Sequence, residues 1–176
     1  MPALTPAFDP DRDHWRGGAD APVTVVVFGD YQCPYTRRAE RVLARLREDY
    51  GDSLQVVFRN LPLTDIHPRA LPAAVAAEAA VPAGRFWEMH DTLFANQKAL
   101  GDDDLRRYAD ELGVDLAGAD TAAISGRLED DYRSALDSGA RGTPTLLVNG
   151  ELHEDSYEVH GLAPVLEAAG ARRPDS

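Results

Sequence analysis

Hydrophobic positions along the chain follow two patterns, short runs of branched side chains and longer stretches with helical spacing. The runs Val23–Phe28 and Leu54–Arg59 are rich in β-branched and aromatic residues, which is typical of strands buried on both faces. Between them, apolar residues recur every three or four positions from Pro34 to Tyr50, and Gly51 ends the pattern. A strand, a helix and a strand in this order predict a parallel βαβ unit.

The middle of the chain shows helical spacing throughout, with glycines between the segments. The apolar positions predict four helices, over residues 68–80, 84–96, 102–112 and 119–136. We expect Asp102 to cap the third of these helices, and Asp120 or Thr121 to cap the fourth. Because all four precede the next strand signal, they are predicted to form a helical insertion.

Strand signals return towards the end of the chain. Thr145–Val148 and residues 151–153 flank Asn149–Gly150, a dipeptide that favours a two-residue hairpin turn. A last helix is predicted over residues 157–169. The whole order predicts an α/β protein, with a mixed central sheet flanked by helices and an inserted all-helical subdomain.

Three regions are therefore expected. Residues 1–20 are polar and contain several prolines, which predicts an irregular N-terminal arm. Residues 21–62 and 140–170 are expected to form the α/β domain, and residues 63–139 the helical subdomain. A chain of 176 residues suits this arrangement and can bury a core without disulfides.

The charge balance argues against some partners. The chain carries 30 acidic and 18 basic side chains, a formal net charge of −12. Nucleic acids and anionic membranes would repel such a surface, so neither is an expected partner. No apolar run is long enough to span a membrane, and the polar first twenty residues do not resemble a secretory signal, so a cytoplasmic location is expected. The pattern indicates no oligomeric state.

The single cysteine of the chain lies between the first predicted strand and its helix. Cys33 is followed by Pro34, which is favoured in the first turn of a helix because its missing N–H is not needed there. The helix dipole stabilises an anion at this position by roughly 0.3 to 2 kcal/mol. Thiol-redox sites place a CxxC pair at such a helix start. Cys33 is therefore the candidate nucleophile, and an inert buried thiol is the alternative.

Thr36 occupies the position of the second cysteine in such a pair. We expect its hydroxyl group, one helical turn after Cys33, to donate a hydrogen bond to the thiolate. A hydrogen bond to a charged acceptor contributes about 1.5 to 3 kcal/mol. A single thiol can attack a disulfide and hold the mixed disulfide, but another thiol must release it. This hypothesis requires a sulfur atom that is open to solvent and directed towards the first helical turn.

Two further segments are candidate binding sites. Arg37 and Arg38 follow in the first helical turn, either as solvated side chains or as a site that attracts an acidic thiol such as glutathione. Thr143–Pro144 precedes the third strand, where the peptide bond is either trans, as most such bonds are, or cis. A cis bond beside the thiol would leave the Thr143 backbone free to pair with an extended peptide or with glutathione.

No metal site is expected. The 5 histidines show no metal-ligand spacing, and one cysteine does not build a zinc site. The aromatic stretch that includes Phe86, Trp87 and Phe94 is better explained by core packing than by a cofactor site.

Four segments together resemble the DsbA-like thioredoxin-fold family: Tyr31–Thr36, Phe58–Leu63 with His67–Pro68, Gly84–His90 and Gly142–Thr145. The resemblance extends from about residue 12 to residue 170. It implies a thioredoxin fold with a helical insertion, Cys33 as the nucleophile and Thr143–Pro144 as a substrate-binding cis-proline pair. We expect Pro34 and Tyr35, beside the cysteine, to contact the substrate as well. The family usually carries a second cysteine at the position of Thr36, so its two-cysteine oxidase reaction is not implied.

The leading hypothesis is a thiol–disulfide oxidoreductase that acts through Cys33 alone. Its substrates would be protein disulfides or glutathione mixed disulfides, and glutathione or another low-molecular-weight thiol would be the resolving group, with no permanently bound cofactor. One alternative is a glutathione-binding transferase or isomerase, since kappa-like glutathione transferases are similar in having a helical insertion in a thioredoxin fold. The other is a non-catalytic module that binds peptides in the cis-proline groove.

Overall fold

One mixed sheet forms the centre of the computed structural model, which describes residues 2–174. Its strand order is β1-β3-β2-β4-β5. The strands are β1 (His14–Gly17), β2 (Val23–Gly29), β3 (Leu54–Asn60), β4 (Thr145–Val148) and β5 (Glu151–His153). Strands β2 and β3 are parallel and are joined by helix α1 (Pro34–Tyr50), which confirms the predicted βαβ unit. The remaining pairs are antiparallel.

Helices cover the sheet because its central strands are apolar on both faces. All seven residues of β3 are buried. On one face, Val25 and Phe58 pack in the same hydrophobic cluster as Leu43 of α1. On the other face, Val26 and Leu147 belong to a smaller cluster. The near-continuous apolar pattern of β2 and β3 is thus accounted for by burial from two sides.

The insertion lies between β3 and β4, as predicted. Its helices are α2 (Ala70–Ala79), α3 (Phe86–Ala95), α4 (Asp102–Leu112) and α5 (Thr121–Asp137), and α6 (Val159–Ala169) closes the fold. Met89 and Leu93 of α3 pack in the same cluster as Val25 and Phe58. The inserted helices therefore share one core with the sheet.

The predicted caps and turn have mixed outcomes. Asp120 caps α5, since its Oδ1 accepts a hydrogen bond from the Ala123 N–H at 3.0 Å. Asn149 and Gly150 both have positive φ, 48° and 85°, which confirms the hairpin turn. The predicted cap of α4 is wrong: Gly101 is the N-cap, and Asp102 is already inside the first turn.

The expectation of an irregular arm over residues 1–20 is wrong for His14–Gly17, which form β1. This strand pairs antiparallel with β3, with His14 opposite Phe58. Earlier in the arm, the Leu4 N–H donates to the Gly150 carbonyl oxygen at 2.8 Å. The four residues of β1 show no apolar alternation, so their own pattern does not predict a strand. Their strand conformation depends on pairing with the open edge of β3. Among the described residues, no helix has both the length and the apolarity needed to cross a bilayer.

Candidate active site

Cys33 is the N-cap residue of α1 and has an extended backbone, with φ −75° and ψ 120°. Pro34 occupies the first helical position. The predicted helix start is therefore confirmed. The end of β2 needs glycine at position 29. A Cβ on Gly29 would lie 2.5 Å from Phe58 Cε2 and 2.7 Å from Thr36 Cγ2, so the close packing of β2, β3 and α1 leaves no room for a side chain.

A buried carboxylate that was not predicted organises the loop before the helix. Asp30 Oδ1 accepts hydrogen bonds from the N–H groups of Gln32 and Cys33, at 2.7 and 3.1 Å. Its Oδ2 accepts from the Leu63 N–H at 2.8 Å and lies 2.9 Å from His67 Nδ1. The carboxylate thus accepts the hydrogen bond of the Cys33 N–H. Backbone N–H groups of this kind stabilise anions at helix starts.

Thr36 does not have the contact expected for it. Its hydroxyl oxygen accepts a hydrogen bond from the Asp30 N–H at 3.3 Å, and the residue is fully buried. Within residues 2–174, the Thr36 hydroxyl forms no hydrogen bond with the Cys33 sulfur. The β2–α1 loop returns the Asp30 backbone to the first helical turn, which helical spacing alone does not indicate.

The Cys33 thiol is directed towards the cis-proline loop. Its Sγ donates to the Thr143 carbonyl oxygen at 3.5 Å, and the Thr143–Pro144 peptide bond is cis. The expected proximity of the thiol and a cis proline is thereby confirmed. Only 3% of the Cys33 surface is exposed, so the expectation of an open sulfur facing the first helical turn is not met.

Two polar groups of Thr143 have no hydrogen-bond partner among the described residues. Its side-chain hydroxyl is buried and has no hydrogen-bond partner, and no described residue pairs with its backbone N–H. Thr145 Oγ1 donates to the Gly142 carbonyl oxygen at 2.7 Å and braces the loop. A cleft of about 650 Å³ runs beside it, lined in part by Gly142, Thr143, Pro144, Leu152 and His153.

The other predicted binding residues are distributed around the rim. Tyr35 is 63% exposed and lies two positions after the cysteine in the chain. Arg38 Nε forms an ion pair with Glu158 Oε1 at 2.5 Å. Arg37 lines a separate cavity, to which Cys33 does not contribute. The two arginines therefore do not converge on the sulfur.

Tyr157, just before α6, is a rim residue that sequence reasoning missed. Burial raises the pKa of its phenol; Arg38 acts against this, and Glu158, Cys33 and Tyr35 act with it. The ion pair between Arg38 and Glu158 holds the loop before α6 against the first turn of α1. No local sequence motif identifies this loop as part of the site, because the loop comes near α1 only in the folded protein.

A polar network supports the loop from the side of α3. Gln97 Nε2 donates to the carbonyl oxygens of Tyr31 and Cys33, at 2.8 and 2.9 Å. Tyr31 Oη lies 2.9 Å from His90 Nδ1, and His90 Nε2 lies 3.0 Å from Glu40 Oε2. Burial, with Glu78 and Glu40 nearby, raises the pKa of Tyr31 well above its usual value. His90 is thus a core residue with both nitrogens engaged.

The fold and the site together define a thioredoxin-type protein, in which one thiol at the start of a helix faces a cis-proline loop. The family model described as Thioredoxin matches residues 10–168. The chain therefore belongs to the thioredoxin family, and its resemblance to DsbA-like thioredoxin-fold proteins is confirmed.

Solved structures share this fold. A thioredoxin-like oxidoreductase from Silicibacter pomeroyi is 27% identical, with a TM-score of 0.80, over 92% of this chain and 93% of that one. BdbD from Bacillus subtilis is 22% identical, with a TM-score of 0.76, over 96% and 98% of the two chains. The thiol-disulfide exchange protein alpha-DsbA2 from Wolbachia pipientis is 19% identical, with a TM-score of 0.74, over 92% and 88%. The last two likenesses concern the fold alone.

The curated relatives are longer proteins. A segment of the Na(+)/H(+) antiporter NhaA 3 from Salinispora tropica is 45% identical in an alignment 181 residues long, which covers 95% of this chain and 28% of that protein. The Na(+)/H(+) antiporter NhaA 1 from Salinispora arenicola is 46% identical over 93% of this chain and 26% of its own length. The chain thus spans about a quarter of the curated relatives that it matches.

Proposed function

We propose that this protein is a thiol–disulfide oxidoreductase in which Cys33 is the single nucleophile. The observation that carries the proposal is the placement of the Cys33 sulfur 3.5 Å from the Thr143 carbonyl oxygen, at the cis-proline loop. The likeness to a thioredoxin-like oxidoreductase over nearly the whole chain supports the same chemistry.

The reaction proceeds in two exchanges. The Cys33 thiolate attacks one sulfur of a disulfide R–S–S–R′, forms the mixed disulfide Cys33–S–S–R and releases R′–S⁻, which takes up a proton. A second thiol, R″–SH, then attacks as its thiolate and forms R–S–S–R″, which frees Cys33. In the net reaction R′ leaves as the reduced thiol R′–SH, while R″–SH is oxidised and takes its place in the disulfide with R.

The second thiol must come from outside the chain, because the sequence contains 1 cysteine. Glutathione or a similar small thiol fits this role. The substrate is a protein disulfide or a glutathione mixed disulfide. An extended segment of it would pair with the Thr143 backbone, as a short added strand. A donor on this segment would take the Thr143 carbonyl oxygen from the Cys33 thiol and so free the sulfur of a residue that is 3% exposed in the unbound protein.

The test is the reduction of a glutathionylated peptide, with glutathione and glutathione reductase as the coupled reductant. The wild-type protein should turn over, and Cys33→Ser should have no activity above buffer. Tyr132→Phe, at an exposed position on α5, serves as a matched surface control and should keep full activity. Equal rates for wild type and Cys33→Ser would reject the proposal.

A second candidate is a peptide-binding module without redox turnover. It is favoured by the small exposure of Cys33 and by the Asp30 carboxylate that occupies the Cys33 N–H. Peptide affinity would then be the same before and after Cys33 is alkylated under mild unfolding and the protein refolded. The transferase alternative stays a prediction, since Arg38 is held by Glu158 and Arg37 lines a different cavity.

A further inference from the structure

Four arginines surround a cavity of about 290 Å³ between α1, α3 and β1. Arg37, Arg41 and Arg47 project from one face of α1, and Arg16 comes from β1. Two carboxylates also line this arginine cavity, Glu40 and Asp91. The lining therefore holds four formal positive charges and two negative ones, in a protein whose net charge is −12.

Both carboxylates are engaged by the same arginine. Arg16 Nη1 lies 2.9 Å from Asp91 Oδ2, and Arg16 Nη2 lies 3.5 Å from Glu40 Oε2. The Arg16 guanidinium also stacks 4.3 Å from the centroid of the Trp87 ring. Glu40 Oε2 is in addition 3.0 Å from His90 Nε2. Arg16 is thus fixed in place, and the carboxylates are oriented towards it.

The other three arginines have no such partners. Among the described residues, Arg37, Arg41 and Arg47 form no side-chain hydrogen bond and no ion pair, and Arg37 Nε is buried without an acceptor. Arg45, one turn after Arg41 but outside the lining of the cavity, does have one, since its Nε lies 3.1 Å from Asp49 Oδ1. Burial and the nearby charge of Arg16 lower the pKa of Arg47. Glu40, Asp91 and Glu48 act against this shift, so the positive charge of the lining is only partly neutralised.

We propose that the arginine cavity binds a multivalent oxyanion of the phosphate class, either free phosphate or a small phosphate ester. A guanidinium is planar and presents paired donors that match the oxygens of phosphate, so several of them around one cavity favour this ligand over chloride. The excess of two positive charges matches a phosphate dianion. The volume accommodates a phosphate group together with a small organic substituent.

This site is distinct from the thiol chemistry. Cys33 and Pro144 are absent from the lining of the arginine cavity, and the lining of the cis-proline cleft includes none of its four arginines. Anion binding in the arginine cavity and disulfide exchange at Cys33 are therefore separate proposals, and the failure of one leaves the other standing.

Calorimetric titration of the full chain at pH 8 tests the proposal, because phosphate and its monoesters are mainly dianions at this pH. Inorganic phosphate and glycerol 3-phosphate are titrated separately, each against sodium chloride of equal ionic strength. Saturable binding of either phosphate, with none for chloride, is the expected result. Tighter binding of the inorganic form indicates free phosphate as the ligand, and tighter binding of the ester indicates a phosphorylated metabolite.

Matched variants assign the binding to the cavity. Arg41→Gln and Arg47→Gln should each weaken binding about tenfold, the loss expected for one charged hydrogen bond. Arg45→Gln removes the same charge from a position of α1 outside the cavity lining and should leave binding unchanged. Asp91→Asn should tighten binding about fivefold, because it removes a nearby negative charge from an exposed position. A gain of affinity does not result from misfolding.

Two results would overturn the proposal. One is equal heats for phosphate and chloride, which would show only general screening of a charged protein. The other is an equal loss of binding in Arg45→Gln and Arg41→Gln, which would show attraction to overall charge and no site.

Discussion

The backbone N–H of Asp30 donates a hydrogen bond to the Thr36 hydroxyl, 3.3 Å away. This bond joins the end of β2 to the first turn of α1, in a region where both residues are buried. Thr36 therefore serves the local structure of the loop, where a role in stabilising the thiolate was expected. The two roles have different experimental consequences.

Thr36→Val separates them, since valine keeps the shape and removes the hydroxyl. The Asp30 N–H would lose its buried acceptor, so the free energy of unfolding should fall by about 1 to 3 kcal/mol. The rate of Cys33 alkylation by iodoacetamide at pH 7 should stay close to that of the wild type. Thr36→Ser, which keeps the hydroxyl, is the control for stability. A drop in alkylation of about tenfold in the valine variant would instead restore the thiolate role.

Thr36→Cys should supply a second thiol that resolves the mixed disulfide on Cys33. A thiol one helical turn from Cys33 acts at an effective concentration on the order of millimolar, so release at about 10 µM external thiol should be roughly a hundredfold faster than in the wild type. The measurement is the lifetime of a peptide mixed disulfide on Cys33, followed by mass spectrometry. Lifetimes that are the same in both proteins would mean that position 36 does not reach the mixed disulfide.

Thr143→Val tests whether the unpartnered hydroxyl at the cis-proline loop is kept for a ligand. In the free protein this buried hydroxyl has no partner, so its loss should leave stability unchanged or raise it by up to about 1 kcal/mol. Peptide affinity should fall by about tenfold if the hydroxyl pairs with the bound segment. Urea unfolding and fluorescence titration with a labelled peptide measure the two effects. Loss of stability without loss of affinity would contradict the assignment.

The buried ion pair between Asp13 and Arg59 should make stability depend on pH. Arg59 Nε and Nη2 each donate to an Asp13 carboxylate oxygen at 2.8 Å, and Arg59 is fully buried. Burial alone would raise the pKa of Asp13, but the hydrogen bond from Arg59, the Asp9 N–H and nearby positive charges outweigh it and lower this pKa below the usual 3.8. A lowered folded pKa means that the contribution is fully present above the unfolded value and is lost as the pH falls through the folded value.

Asp13→Asn should therefore cost about 3 to 5 kcal/mol at pH 7, because it leaves a buried guanidinium without its counter-charge. The difference from the wild type should shrink as the pH falls below about 3.8. Urea unfolding at pH 7 and at pH 3 measures it. A difference that is constant over this range would show that the carboxylate is not ionised in the folded protein. Asp11→Asn, at an exposed position in the same arm, is the matched control.

The sequence was sufficient to predict those elements whose conformation depends on residues adjacent in the chain. The Asn149–Gly150 turn, the four inserted helices and the helix start after Cys33 were all predicted, because turn conformation, helical periodicity and proline placement are properties of adjacent residues. The resemblance of scattered segments to a family supplied the cis bond at Pro144, which short-range patterns left open.

The features that were missed depend on pairing between distant segments. His14–Gly17 become a strand only because β3 offers them an open edge. Asp30 takes its partners from residues 32, 33, 63 and 67, so its role is defined by a loop closed across the fold. Tyr157 is brought to the first turn of α1 from the far end of the chain, where its neighbour Glu158 pairs with Arg38.

By itself, the sequence determined that this is an α/β protein with a helical insertion and one thiol at a helix start. Those conclusions follow from periodicity and composition, which act over a few residues. Only the tertiary structure decided what the thiol faces, what Thr36 binds and which arginines lie together. Hydrogen bonds and ion pairs require groups within about 3 to 4 Å of each other, and for residues far apart in the chain that proximity exists only once the sheet and its helices have packed.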